Sequence, residues 1–156
     1  MQYLRLYQGA LPTSEIYAEW ETFAKERNCG ALCVFTGIVR QEESKEIEST
    51  EFIVSALSFD VYEPLLRKWF ESWQAKATQM GALLLMAHSV GDVARTQSSY
   101  MCAVISRQRR AALALYEDFI EDFKANAPIW KYDVIEGKRV FAMSRSTPIE
   151  GSGVLG

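Results

Sequence analysis

Near the N-terminus the apolar positions change period. Tyr3 to Tyr7 alternates as a short strand does, and Pro12-Thr13-Ser14-Glu15 reads as a helix start with Thr13 or Ser14 as N-cap. Ile16, Trp20, Phe23 and Ala24 share one face of that helix, which should end near Asn28 and Gly30. Ala31 to Val39 is a continuous apolar run rich in β-branched residues. It predicts a buried strand that delivers Arg40 at its end. From Gln41 to Thr50 almost every position is polar, which predicts a solvated loop.

Between Glu51 and Tyr62 the alternation slips, with Phe52, Val54 and Ala56 on one parity and Leu57, Phe59 and Val61 on the other. A strand with a bulge is expected. Pro64 suits the first turn of a helix carrying Leu66, Trp69, Phe70, Trp73, Ala77 and Met80 on its apolar face, and Gly81 ends it. Ala82 to His88 reads as a strand, Val90-Gly91-Asp92 as a turn, and Ser98 to Ser106 as a further strand. Arg107 to Ala125 predicts a helix with the stripe Leu113, Tyr116, Phe119, Ile120 and Phe123. Its wet face would hold Glu117, Asp118, Glu121 and Asp122, and Pro128 stops it. Ile129–Ile135 and Arg139–Met143 form a hairpin across Glu136-Gly137-Lys138. Without repeats or linkers, and without strict βα alternation, the expected fold is α+β. One domain would span residues 1–146, with a loose tail over 147–156.

Composition narrows the function. The chain has 156 residues, 49% of them apolar, and a net charge of −3, so a generic basic nucleic-acid binder is excluded. Any anion site must be a local concentration of cations. Cys29, Cys33 and Cys102 lack the partners of a zinc site and read as small buried hydrophobes, so no metal is expected. The N-terminus lacks the apolar core of a signal peptide, and Ala82 to Ala87 is too short to span a bilayer. A cytoplasmic protein is expected.

The residues with chemical potential are cations. Arg107, Arg109 and Arg110 surround a helix N-terminus, where they oppose the helix dipole. Two readings stand: a solvated charge cluster, or cations gathered around an anion such as phosphate. Lys124 and Lys131 flank Pro128. Brought close together they would each have a depressed pKa, which makes an amine a nucleophile or proton shuttle. His88, in an apolar strand, reads as a hydrogen-bonded structural residue.

Four segments carry a family resemblance: Cys29-Gly-Ala-Leu-Cys-Val-Phe-Thr-Gly-Ile-Val-Arg40, Tyr62-Glu63-Pro64, His88-Ser89-Val90-Gly91 and Lys124-Ala-Asn-Ala-Pro-Ile-Trp-Lys131. In this order and spacing they resemble the large, catalytic subunit of molybdopterin synthase, over about residues 3–145. The resemblance implies an α/β hammerhead-type domain that forms a homodimer. It further implies that each protomer binds a small sulfur-carrier subunit, giving a heterotetramer. The carrier's Gly-Gly thiocarboxylate would donate sulfur to cyclic pyranopterin monophosphate, and two transfers would build the dithiolene of molybdopterin. No cofactor and no nucleophilic cysteine are implied.

By the same resemblance, Arg40 closes the first motif, with Ile38 and Val39 lining the strand end. Lys124 would lie next to the carrier's C-terminus, and Lys131 would give or take a proton. Tyr132 and Asp133 fall on pocket positions, Asp133 where the family often has Glu. The family's His-Arg pair falls on Gln108-Arg109, so a titrating group is replaced by a neutral one. Arg107 and Arg110 are candidates to supply the lost charge. Ser89 stands where the family often has Arg. A C-terminal family arginine has Ser144 in its place, with Arg145 one residue beyond. Two other readings compete: a family member that keeps fold and partner without turnover, and a structural dimerisation domain. The second would leave the arginine cluster unexplained.

Overall fold

The computed structural model describes residues 1–41, 43–47 and 50–141, the stretches 43–47 and 50–53 by their backbone alone. Helix α1 (Thr13–Glu26) packs on one face of a sheet. Helices α2 (Glu63–Gln79) and α3 (Arg109–Asn126) pack on the other. The sheet contains β1 (Leu4–Gln8), β2 (Ala31–Ile38), β5 (Ala56–Val61), β6 (Ala82–Ala94), β7 (Ser98–Ser106), β8 (Ile129–Ile135) and β9 (Lys138–Phe141). Its order is β2-β7-β6-β5-β8-β9, with β1 added in parallel to β6 and the other pairs antiparallel. This is the expected α+β class. The proposed domain limit at 146, the tail and Met143 lie outside the described residues.

Alternation along β6 divides the core. Leu84, Met86 and His88 point to the α2/α3 side, while Leu85 and Ala87 meet Ile16, Trp20, Phe23 and Ala24 of α1. Both faces of the middle strands are therefore apolar, as a three-layer arrangement requires.

Several expectations change in the structure. The run Ala31–Val39 makes an edge strand over Ala31–Ile38, half-buried rather than central, because among the described residues β7 is its one sheet neighbour. A two-faced apolar run does not distinguish the two positions. The slip before Ala56 is a break between strands rather than a bulge. Residues 43–47 and 50–53 form a separate two-stranded ladder, β3 (Glu43–Ile47) with β4 (Thr50–Ile53), so that β3 stands inside the Gln41–Thr50 stretch expected to be a loop. Backbone pairing does not require an apolar sequence. Val90-Gly91-Asp92 does not turn the chain: β6 runs on for 13 residues, with Gly91 at φ +81° where the strand changes partner. Pro12 caps α1, with no side-chain bond from Thr13 or Ser14. Leu113 is 57% and Met80 40% exposed; Ala112 and Leu115 fill the stripe of α3 instead. Cys102 is buried, whereas Cys29 and Cys33 are half-buried.

Asp122, expected on the wet face, is half-buried. Its Oδ2 accepts from the indole N–H groups of Trp69 (2.9 Å) and Trp73 (2.6 Å), and its Oδ1 from Asn126. This clasp ties the last turns of α3 to α2. A second clasp completes β6. Gln74 of α2 donates from Nε2 to the Leu84 carbonyl (3.0 Å) and accepts from the Leu84 N–H at Oε1 (2.8 Å), as a missing strand would. Gln74→Leu leaves both backbone groups unpaired. A loss of about 2 kcal/mol is expected, or roughly 4–8 °C in Tm, read by thermal or urea unfolding.

Candidate functional site

At the end of β2 the register against β7 shifts between Gly37 and Ile38, which face Tyr100 and Ser98. A Cβ on Gly37 would sit 3.3 Å from that of Tyr100, so the close approach favours glycine. Beyond the shift, Val39 is clamped by two backbone bonds. Its N–H donates to Gln97 O (2.8 Å) and its carbonyl accepts from Thr96 N–H (2.7 Å). Its side chain is buried against Phe59 and Val93. Ile38 (62% exposed) and Arg40 consequently face outward on either side of a fixed residue.

The lysines arrive on two other elements. Lys124 is exposed in the last turn of α3, and Ala127 takes an extended backbone (ψ 133°) ahead of Pro128. The chain then enters β8, where Lys131 lies opposite Phe59 and Asp133 opposite Leu57 of β5. Those partners belong to the apolar face that holds Val39. Lys131 is half-buried. Its pKa is lowered by burial first, then by the positive charges of Lys124 and Arg40. The last two causes place all three cations in one neighbourhood, although they come from β2's end, α3 and β8.

His88 lies beneath them. It is 2% exposed, with ring contacts to Phe59, Tyr100 and Phe123. Its Nδ1 is 2.7 Å from the Ser89 carbonyl. Burial pushes its pKa down to about 4, offset by the Ser89 bond and reinforced by Lys124. The ring is thus neutral near pH 7, and Nδ1 carries the hydrogen because a carbonyl only accepts. The structural reading of His88 holds, but its place beside the lysines was not visible in the chain. A lone polar residue in an apolar strand was the one available signal.

Other candidates lie apart. Tyr132 alternates to the opposite face of β8, opposite Ser58. There the Arg139 guanidinium stacks on its ring at 4.0 Å while bonding Asp60 at 2.8 and 3.3 Å. Asp133 is buried on the lysine face. Arg107, Gln108, Arg109 and Arg110 are all exposed at the far end of α3. The separation of Arg109 from Lys124 along the axis is about 22 Å at helical rise. Arg107, Gln108 and Arg110 line an open cavity of about 760 Å³ with Cys29 and Ser106, which Arg109 does not line. Within one chain the arginines at the start of α3 therefore lie apart from Lys124 at its end. Arg145 lies outside the described residues. Among the described residues no cluster of His, Cys, Asp or Glu could hold a metal ion, and no helix is long and apolar enough to cross a membrane.

The cation cluster predicts its own titration. In Lys124→Met the pKa of Lys131 should rise, because one of the charges opposing its protonation is gone. Side-chain NMR of Lys131 against pH reads this directly, and an unmoved midpoint would mean that the two amines are electrostatically independent.

Comparison with known proteins agrees with the fold and with the motifs. The family model "MoaE protein" matches residues 11–126. A molybdopterin synthase catalytic subunit of Helicobacter pylori (strain ATCC 700392 / 26695) is 51% identical over 152 residues, covering 97% of this chain and 99% of the relative. A solved complex of subunits 1 and 2 of molybdopterin-converting factor from Helicobacter pylori 26695 contains a chain 50% identical to this one. It superposes with a TM-score of 0.86 over 99% of this chain and 100% of its own. The crystal structure of molybdopterin synthase from Staphylococcus aureus shares the fold at 23% identity, with a TM-score of 0.70 over 89% of this chain and 96% of its own. The chain belongs to the MoaE family, that of the molybdopterin synthase catalytic subunits.

Proposed function

We propose that this chain catalyses sulfur transfer from the thiocarboxylated C-terminus of a small carrier subunit to cyclic pyranopterin monophosphate, forming the dithiolene of molybdopterin. The observation that supports this most is the convergence of Arg40, Lys124 and the half-buried Lys131, whose pKa is lowered. A thiocarboxylate and a cyclic phosphate are both anions, and three cations on an otherwise acidic chain form a local well for them. In this reading Lys124 and Arg40 hold negative charge, including the oxyanion that develops during acyl transfer. Lys131, half-buried and with its pKa lowered by burial and the neighbouring cations, gives or takes the proton. Ile38 and Val39 form the strand end beside them, and Asp133 the buried floor of the lysine face. The sulfur arrives on the carrier, so no cysteine of this chain takes part.

The carrier partner is inferred from the two-subunit Helicobacter pylori complex with which this chain superposes. Homodimerisation gives the distant arginines a role. With Arg109 about 22 Å from Lys124 in one chain, the Gln108–Arg109 end of α3 serves a lysine site only when a second copy presents it. Tyr132 would act there only after release from Arg139 and Asp60, and we assign it no step.

Reconstitution with thiocarboxylated carrier and cyclic precursor, followed by mass spectrometry, tests the activity. Wild-type protein should yield the dithiolene, and a protein that binds carrier but makes none would be the non-catalytic scaffold instead. Lys131→Ala should lower kcat by about 10²–10⁴-fold while the carrier complex still forms on gel filtration. A wild-type rate would overturn its assigned role. If two copies share a site, mixing inactive Lys131→Ala with inactive Arg109→Ala should restore part of the activity. Gln108→His should be neutral or mildly activating.

A further inference from the structure

We propose that His88 is a positioning residue that sets the separation between Lys124 and Lys131. This deepens the reading above and rests on it for the role of the lysines. The imidazole touches the supports of both. Its ring is 5.0 Å from Phe59, edge-on at 84°, and Phe59 is the register partner of Lys131 on the neighbouring strand. The same ring is 5.7 Å from Phe123, the residue before Lys124. Tyr100 completes the box, 5.8 Å from His88 and stacked on Phe123 at 3.9 Å. The wedge therefore joins β5, the strand paired with the one that carries Lys131, to the helix turn that carries Lys124. Its hydrogen bond to the Ser89 carbonyl fixes the ring's rotation, which a phenyl group of similar size could not do.

The choice of residue also suits the charge. The charges acting on Lys131 are those of Lys124 on α3 and Arg40 at the end of β2, and the carboxyl group of Asp133 is buried two residues along its own strand. The ionisable side chains around His88 itself are Tyr100 and Lys124. A cation in the wedge would add a fourth positive charge, and a carboxylate would cancel part of the field that attracts the substrates. A neutral ring does neither.

Two variants and two readouts test the inference. In His88→Phe the box stays filled but the orienting bond is lost. The carrier complex should form normally and KM should stay within about twofold, while kcat falls about ten- to hundredfold. The Lys131 midpoint, followed by side-chain NMR, should move upward as Lys124 drifts away. His88→Gln, which can still donate to Ser89, should recover part of the rate. A wild-type kcat or an unmoved Lys131 midpoint in His88→Phe overturns the proposal, since loss of packing alone would lower Tm without moving that midpoint. Should neither variant fold, nitrogen NMR of the wild type decides, because the chain has one histidine. A neutral Nδ1–H ring from about pH 5 to 9 supports the wedge, and an Nε2–H tautomer or a titration in that range overturns it. The lysine titration needs no turnover, so an inactive wild type would count against the sulfur-transfer reading alone.

Discussion

Every backbone N–H and C=O along β6 must find a partner, and that requirement arranges the rest of the molecule. On one side β7 pairs with it from Ala82 to His88. On the other, Gln74 serves Leu84, β1 runs from Met86 to Val90, and β5 takes Gly91 to Ala94. The succession of partners fixes α2 through Gln74 and the N-terminus through β1. It also fixes β5, which carries β8 and with it Lys131. The left-handed Gly91 lies where the strand passes from β1 to β5. A turn there would have detached β5 and β8 from the layer that supports the site.

The second organising constraint is electrostatic. Three cations from separate elements share a neighbourhood, which costs free energy in the empty state through repulsion and, for Lys131, through lost hydration. Arg40 and Lys124 stay in water, where screening is strong, and Lys131 alone is half-buried. The unfavourable arrangement is held by neutral packing: the Val39–Phe59–Val93 cluster, the aromatic box around His88, and the Asp122 clasp on Trp69 and Trp73. In the proposed sulfur transfer, an anionic ligand would relieve this repulsion, since its negative charge sits among the three cations.

Much was legible in the chain because it depends on local pattern. The apolar faces of α1 and α2, the proline at the start of α2, the strand Ser98–Ser106 and the hairpin after Ile135 follow from period and backbone preference, although Lys138 joins β9 and leaves Glu136-Gly137 as the turn. Where neighbours decide, the pattern was silent or misleading. Ala31–Ile38 has the composition of a central strand and lies at an edge. Asp122 has the spacing of a solvated face and is held by two tryptophans. Glu43–Ile47 has the polarity of a loop and pairs with Thr50–Ile53.

The same division runs through the site. Residue types and spacing singled out Lys124 and Lys131 on either side of Pro128, and the resemblance carried by FTGIVR and KxxAPIWK added Arg40. Family membership was likewise carried by the sequence. Which groups share a space was decided only by the tertiary structure. Strand alternation places Lys131 and Asp133 on one face and Tyr132 on the other, and the length of α3 sets Arg109 about 22 Å from Lys124 along the helix axis. The imidazole of His88, unremarkable in the chain, lies between the supports of the two amines. Local chemistry is written residue by residue, whereas convergence depends on register and helix length, and those are set by the partners each element finds.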